Sequence, residues 1–152
     1  MRIRAFDDLV LRVLMLLNSP DAEGQMTTQA IAEGVATPYN HVSKAITGLR
    51  RLGLIESQRG RRGGVRLTDE GRRATVGAVL RALDDREDVP DCRSPKGDCV
   101  LLPSCGLRSS LRFAREAFYQ ELDGVLIRGV GQGPAAGPAT LTLAPAAQRP
   151  AS

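Results

Sequence analysis

Apolar residues return every three or four positions along the first stretch of the chain. Phe6, Leu9, Val10, Val13, Leu14 and Leu17 trace one face of an amphipathic helix over residues 3–17. The turn-forming run Asn18-Ser19-Pro20-Asp21 ends it. Thr27 or Thr28 then caps a short helix that reaches Glu33, with Ile31 facing inward and Gly34 closing it. Thr37 followed by Pro38 reads as an N-cap and first helical residue. The longer helix that follows runs to about Leu52, buries Val42, Ala45, Ile46 and Leu49, and is stopped by Gly53. A short helix, a tight turn and a longer helix form a helix-turn-helix.

Two short strand signals come next, at residues 54–58 and 65–67. The intervening run Arg59-Gly60-Arg61-Arg62-Gly63-Gly64 predicts a hairpin whose glycines permit a tight tip. Helix-turn-helix plus hairpin is a winged helix. Thr68 caps a further helix, with Asp69 and Glu70 in its first turn, where the dipole favours anions. It reaches about Leu83 and turns Val76, Val79, Leu80 and Leu83 inward. Residues 84–104 lack periodicity, and Cys105 stands near the start of a last helix. There, Leu107, Leu111, Ala114, Phe118, Leu122 and Val125 recur for nearly five turns. Such a helix needs an apolar partner, either its own domain or, as a DNA-binding role favours, a second copy. The predicted class is therefore mainly α. A winged helix-turn-helix domain (residues 1–83) is followed by a cysteine-bearing loop (84–105) and a long C-terminal dimerisation helix (106–128). Residues 129–152, with 15 Gly, Pro or Ala and the single charge Arg149, read as a disordered tail.

Composition narrows the function. At 152 residues and 42% hydrophobic content the chain can bury a core, while 3% aromatic content argues against an aromatic binding module. His41 is the only histidine, so most histidine-based catalytic or zinc constellations are excluded. No phosphate-cradling loop precedes a helix, and no enzyme is expected. No apolar run is long enough to cross a membrane, and a soluble, cytoplasmic protein is expected. The net charge is +4, yet residues 41–73 carry nine Lys or Arg against three acids. The rest is slightly acidic, with Asp84, Asp85, Glu87, Asp88 and Asp91 clustered before the first cysteine. A basic patch on an acidic background is either a solvated face or a nucleic-acid footprint.

The helix-turn-helix favours the footprint. Tyr39, Asn40, His41, Ser43, Lys44 and Thr47 lie near the start of the second helix, where major-groove readout needs donors and acceptors. Asn40 and His41 suit base edges, Tyr39, Lys44 and Thr47 suit phosphates or bases, and Arg50 and Arg51 suit the backbone; Thr28 is a further DNA-binding candidate. Arg59, Arg61 and Arg62 of the wing suit phosphates or a narrow minor groove. The expected partner is double-stranded DNA with a two-fold site, bound by a homodimer.

Cys92, Cys99 and Cys105 are separated by six and then five residues. These gaps exceed the two-to-four-residue spacing of zinc pairs, and three thiolates on one loop suit a wider iron–sulfur cluster. Zinc, a redox thiol pair and incidental cysteines are the competing readings.

Several segments together resemble the winged-helix iron–sulfur transcriptional regulators that include NsrR-like and IscR-like members, with the NsrR-like branch the nearer. They are Met1-Arg2-Ile3 with Phe6, Asp8 and Leu11-Arg12; Pro38-Tyr39 through Lys44-Ala45-Ile46; Arg59-Gly60 with Gly63-Gly64; the three cysteines; and Ala117-Phe118-Tyr119. The resemblance implies a repressor that senses nitric oxide through a cluster, 4Fe–4S in preference to 2Fe–2S. It implies a homodimer with crossed C-terminal helices and three cysteine ligands from one protomer. It implies a fourth ligand from Asp8 of the other protomer, with Asp7 as the substitute. In IscR-like members a histidine three residues after the last cysteine is the ligand, and that position here is Arg108. The first cysteine gap is one residue longer than the family spacing, in the loop holding Pro95 and Gly97. From the residues alone, Asp8 lies four positions before Arg12, the spacing of an exposed helical ion pair. With the resemblance, the two become a switch pair. The other readings are a regulator sensing iron supply or oxidative stress, and a metal- or redox-handling protein that binds no DNA.

Overall fold

The computed structural model describes residues 3–22, 24–58, 63–85 and 99–130. Helix α1 (Ala5–Leu17) buries Leu9, Val10, Val13, Leu14 and Leu17, as its period requires. The apolar face starts later than its pattern suggests. Phe6 is 38% exposed, whereas Asp7 is buried at 8%. The Asp7 carboxylate closes the N-terminus by accepting from the Arg4 backbone amide at 3.2 Å and from Arg4 Nε at 3.1 Å, which explains how a carboxylate tolerates that position.

Thr27 caps α2 (Thr28–Gly34) by accepting from the Ala30 amide at 3.1 Å. Gly34 does not close this helix by turning left-handed; Ala36 takes the positive φ of 49° instead. Gly34 serves α1: a Cβ there would stand 2.7 Å from a Leu16 methyl. Helix α3 spans Tyr39–Arg51 and starts one residue later than Thr37-Pro38 suggests. The Thr37 hydroxyl donates back to the Val35 carbonyl, so it does not cap α3. Val42, Ala45, Ile46 and Leu49 are buried, and Gly53 takes φ 72° beyond the helix.

Strands β1 (Ile55–Gln58) and β2 (Gly64–Leu67) pair antiparallel, with Ile55 opposite Leu67 and Ser57 opposite Val65. Met26 adds an isolated bridge to Val65, with two backbone hydrogen bonds of 2.9 and 2.7 Å. The hairpin is thereby tied to the chain just before α2.

The single helix expected over residues 69–83 is two: α4 (Asp69–Arg73), capped by Thr68, and α5 (Val76–Leu83), capped by Thr75. Ala74 between them is extended. Its carbonyl accepts from Ile127, and the Val76 amide donates to Val125. The break thus lets the chain pair with a segment 50 residues later. Helix α6 (Gly106–Asp123) also stops early, at Gly124, and a short α7 (Ile127–Val130) follows. Gly129 and Val130, expected in the tail, belong to that turn; residues 131–152 lie outside the described residues. Ile127 is 1% exposed and joins the core.

α6 packs on α5 through a polar face. Arg81 donates to Glu116 at 2.9 Å and to Asp123 at 2.8 and 3.1 Å, and lies over the Tyr119 ring. Tyr119 is the buried residue of α6, and its hydroxyl donates to Asp84 at 2.5 Å. The apolar stripe for which the sequence demands a partner is left open within the chain. Leu107 is 64% exposed and Ala114 is exposed, while Leu111, Phe118, Leu122 and Val125 are only half-buried.

Candidate functional site

Burial of Val42, Ala45, Ile46 and Leu49 fixes the rotation of α3. With 100° per residue, Asn40, Lys44, Thr47 and Arg51 then form the stripe opposite the core. All four are exposed. Tyr39, Ser43 and Arg50 lie along one flank and His41 along the other. His41 is exposed, as expected of a residue beside an inward Val42. The Thr47 hydroxyl donates to the Ser43 carbonyl at 2.9 Å, leaving its lone pairs outward as acceptors. Thr28 opens α2 and is half-buried.

The charges of this surface divide into used and unused. Arg66 pairs across the hairpin with Glu56 at 2.9 Å, and Arg73 with Glu70 at 3.7 Å. Among the described residues no carboxylate pairs with Lys44, Arg50 or Arg51. Unpaired cations on an exposed helix face suit phosphate contacts, whose energy comes largely from counterion release. Arg59, Arg61 and Arg62 of the wing tip lie outside the described residues.

The second cluster of chemistry is the thiols. Cys92 lies outside the described residues. Cys99 and Cys105 bracket a 3-10 turn (Leu102–Ser104), in which the Leu102 amide donates to the Cys99 carbonyl at 3.0 Å. Cys99 is exposed and Cys105 half-buried, and both are free. Cys105 is the N-cap residue of α6, where an anionic centre would face the positive end of an 18-residue helix. Two accessible soft donors on a compact turn fit a thiolate-ligated group. Among the described residues no three His, Cys, Asp or Glu converge as a metal site.

Asp8 is exposed and pairs with Arg12 at 2.8 Å, four residues on. Asp7 is differently placed: Arg4 holds both its oxygens, at 3.1 and 3.2 Å. Of the two carboxylates, Asp8 is the one available to a ligand. Next to it, Arg4 also reaches the Leu83 carbonyl at 2.5 Å and Asp85 at 2.9 Å. Arg4, Asp84 and the Arg81 cluster are polar residues that periodicity did not single out. Only their tertiary partners mark them. The Arg81 hydrogen bonds hold the Asp123 carboxyl below the usual carboxylate range.

Comparisons with known proteins agree with this geometry. The Rrf2 family model, described as an iron-dependent transcriptional regulator, matches residues 3–131. The HTH-type transcriptional repressor NsrR of Streptomyces coelicolor is 44% identical over 146 residues, covering 94% of this chain and 96% of that protein. The HTH-type transcriptional regulator NsrR of Geobacillus kaustophilus is 36% identical, covering 81% and 84%. Among solved structures, T. potens IscR superposes with a TM-score of 0.62 at 22% identity, covering 86% of this chain and 85% of that one. The oxidized form of Staphylococcus aureus CymR gives 0.64 at 20% identity, covering 90% and 100%. At these identities the structures speak for the fold alone. No described helix is long and apolar enough to cross a membrane.

Proposed function

Because the chain belongs to the Rrf2 family of iron-dependent transcriptional regulators, we propose that it is a homodimeric repressor whose promoter affinity is set by an iron–sulfur cluster that reacts with nitric oxide. The observation that carries the DNA-binding half is the outward stripe of α3, Asn40, Lys44, Thr47 and Arg51, beside a paired hairpin and free of carboxylate partners. Asn40 and His41 read base edges, with Tyr39, Ser43 and Thr47 as further polar contacts. Lys44, Arg50, Thr28 and the wing's Arg59, Arg61 and Arg62 hold phosphates. The half-open apolar stripe of α6 is the surface for the second copy, which gives two recognition helices for a two-fold site.

Cys92, Cys99 and Cys105 would supply three thiolates, and Asp8 of the second copy the fourth ligand, to a 4Fe–4S cluster in preference to 2Fe–2S. When bound, such a cluster would supply a nitric-oxide-reactive iron centre, with Asp8 as a weaker ligand than the three thiolates. Asp8 then has an alternative partner within its own helix, Arg12 at 2.8 Å. Exchange between the two partners gives α1 two states. α1 shares one core with α3 through Val10, Val13 and Leu14, so a shift of α1 moves the reading helix.

The test uses full-length protein purified without oxygen. Native mass spectrometry with an absorbance spectrum is expected to give a dimer with one 4Fe–4S mass per protomer, lost on stoichiometric nitric oxide. Gel shifts with competitor DNA are expected to show tighter promoter binding by the loaded form. Equal binding by loaded and metal-free protein would sink the proposal. A colourless dimer holding zinc or no metal would return the cysteines to a zinc site or thiol switch.

A further inference from the structure

The root of the cysteine segment is gripped from two sides. Leu83 is the last residue of α5, and Asp84 and Asp85 lead from it toward Cys92. Asp84 accepts from the Tyr119 hydroxyl at 2.5 Å and faces Arg115 at 3.6 Å, both on α6. Leu83 and Asp85 are held instead by Arg4, at the opposite end of the fold's sequence. Its terminal nitrogens donate to the Leu83 carbonyl at 2.5 Å and to Asp85 Oδ1 at 2.9 Å. The same guanidinium grips Asp7 through Nε and a terminal nitrogen, at 3.1 and 3.2 Å.

One planar group therefore spans α1 and the segment root, with donors fixed relative to one another. A lysine ammonium at that position could not reproduce the fork. On its α1 side the grip includes Asp7, the chain neighbour of Asp8. Behind Asp7 the helix is rigidly seated: its buried face shares the core with Val42, Ala45, Ile46 and Leu49 of α3, and a Cβ on Gly48 of α3 would stand 3.6 Å from the Phe6 ring. A route of packed or hydrogen-bonded contacts thus runs from the segment root through Arg4 and α1 to the DNA-reading helix.

We propose that Arg4 is a positioning residue, a strut that transmits movement of the cysteine segment's root within one protomer to α1 and α3. The inference rests on the proposed cluster-controlled function and adds an intramolecular route to it. It differs from the Asp8–Arg12 exchange, because the Arg4 guanidinium hydrogen-bonds to Asp7, Leu83 and Asp85 and acts on the segment root. Its acceptor on α5 is a backbone carbonyl, which no substitution in the cysteine loop removes.

The experiment compares wild type, Arg4→Gln, Arg4→Lys and Asp85→Asn as full-length dimers, cluster-loaded and metal-free. Three quantities are read: the ratio of promoter affinities of the two forms by fluorescence anisotropy, amide hydrogen exchange of the metal-free dimer, and its urea unfolding midpoint. Arg4→Gln is expected to lower the affinity ratio by about fivefold, with iron content retained. Exchange is expected to quicken both at residues 5–8 and at residues 83–85. Arg4→Lys does not rescue the ratio if the fork is what couples. Asp85→Asn, which leaves the α1 cap intact, is expected to lower the ratio by less. A purely structural Arg4 would lower the unfolding midpoint while leaving the ratio at its wild-type value, and that result overturns the strut. Equal affinities of loaded and metal-free wild type would overturn the proposed function, and the strut's role with it. The two failures are separable, because the first appears only in the variants.

Discussion

Replacing Gly77 by alanine probes the junction between α5 and α6. A Cβ at this position would overlap the Tyr119 carbonyl oxygen and Asp123 Oδ1, and would stand 2.7 Å from the Asp123 amide nitrogen. Two of these three atoms are backbone, so no side-chain rotation relieves them. Carbon needs roughly 3.5 Å from a neighbouring heavy atom. α6 must therefore retreat by roughly 0.8 Å from the amide alone. Overpacking of this kind costs about 1–3 kcal/mol. Against it, alanine is favoured over glycine in a helix by about 1 kcal/mol. Retreat also stretches the Arg81 hydrogen bonds to Asp123 and Glu116, which as exposed pairs add little. Because two of the overlapped atoms are backbone, the upper part of the overpacking range, about 2–3 kcal/mol, applies, and the expected net is a loss of about 1–2 kcal/mol. Gly106→Ala is the internal control. It opens α6, has no heavy atom within 4 Å of its Cβ position, and is expected to stabilise by up to about 1 kcal/mol. Urea unfolding followed by circular dichroism, at one protomer concentration, gives both values. A Gly77→Ala protein as stable as wild type would refute the close approach of α5 and α6.

Asn40→Ala is expected to weaken promoter binding by about 1–3 kcal/mol and to relax preference at one base pair. Lys44→Ala should weaken all sequences alike and reduce the salt slope by about one; titrations at several salt concentrations separate the two patterns. Ile127→Ala removes a side chain that is 1% exposed and should cost about 2–5 kcal/mol, whereas Val130→Ala, 46% exposed, should stay within about 0.5 kcal/mol in the same urea assay. Asp123 is held below the usual carboxylate range by Arg81. A depressed folded-state value stabilises above the unfolded carboxylate pKa and is lost as pH falls through the folded value. The urea midpoint should therefore drop below about pH 4, and Asp123→Asn should flatten that part of the profile.

The helix-turn-helix was legible because its signals are local. The 3.6-residue period of Val42, Ala45, Ile46 and Leu49 fixes the inward face of α3, and the outward polar stripe follows by geometry. Thr27 and Thr68 cap as their chemistry requires. Local chemistry failed where a distant segment competed for the same backbone. Thr75 and Ala74 break a helix that periodicity alone continues, because their neighbours pair with residues 125–127. Gly124 likewise ends α6 before Val125, and Ile127 enters the core from a stretch whose composition resembles a tail.

The apolar stripe of α6 gives the sharpest contrast. Its spacing marks a buried face, yet within the chain α6 docks through Tyr119, Glu116 and Asp123 onto Arg81, and the stripe stays half open. Hydrophobic period says that a face seeks cover but not what covers it, since burial is non-directional. Directional hydrogen bonds decided which side of the helix meets α5. Arg4 follows the same rule. It stands three residues from Asp7, but only folding brings Leu83 and Asp85 within its reach. The sequence by itself determined the helix-turn-helix, the hairpin and the outward polar face of α3, because these depend on neighbours close in the chain. The tertiary structure decided which side of α6 meets α5, where the helix over residues 69–83 breaks, and how the root of the cysteine segment is tied to α1. Each of those depends on a partner dozens of residues away, which no period encodes.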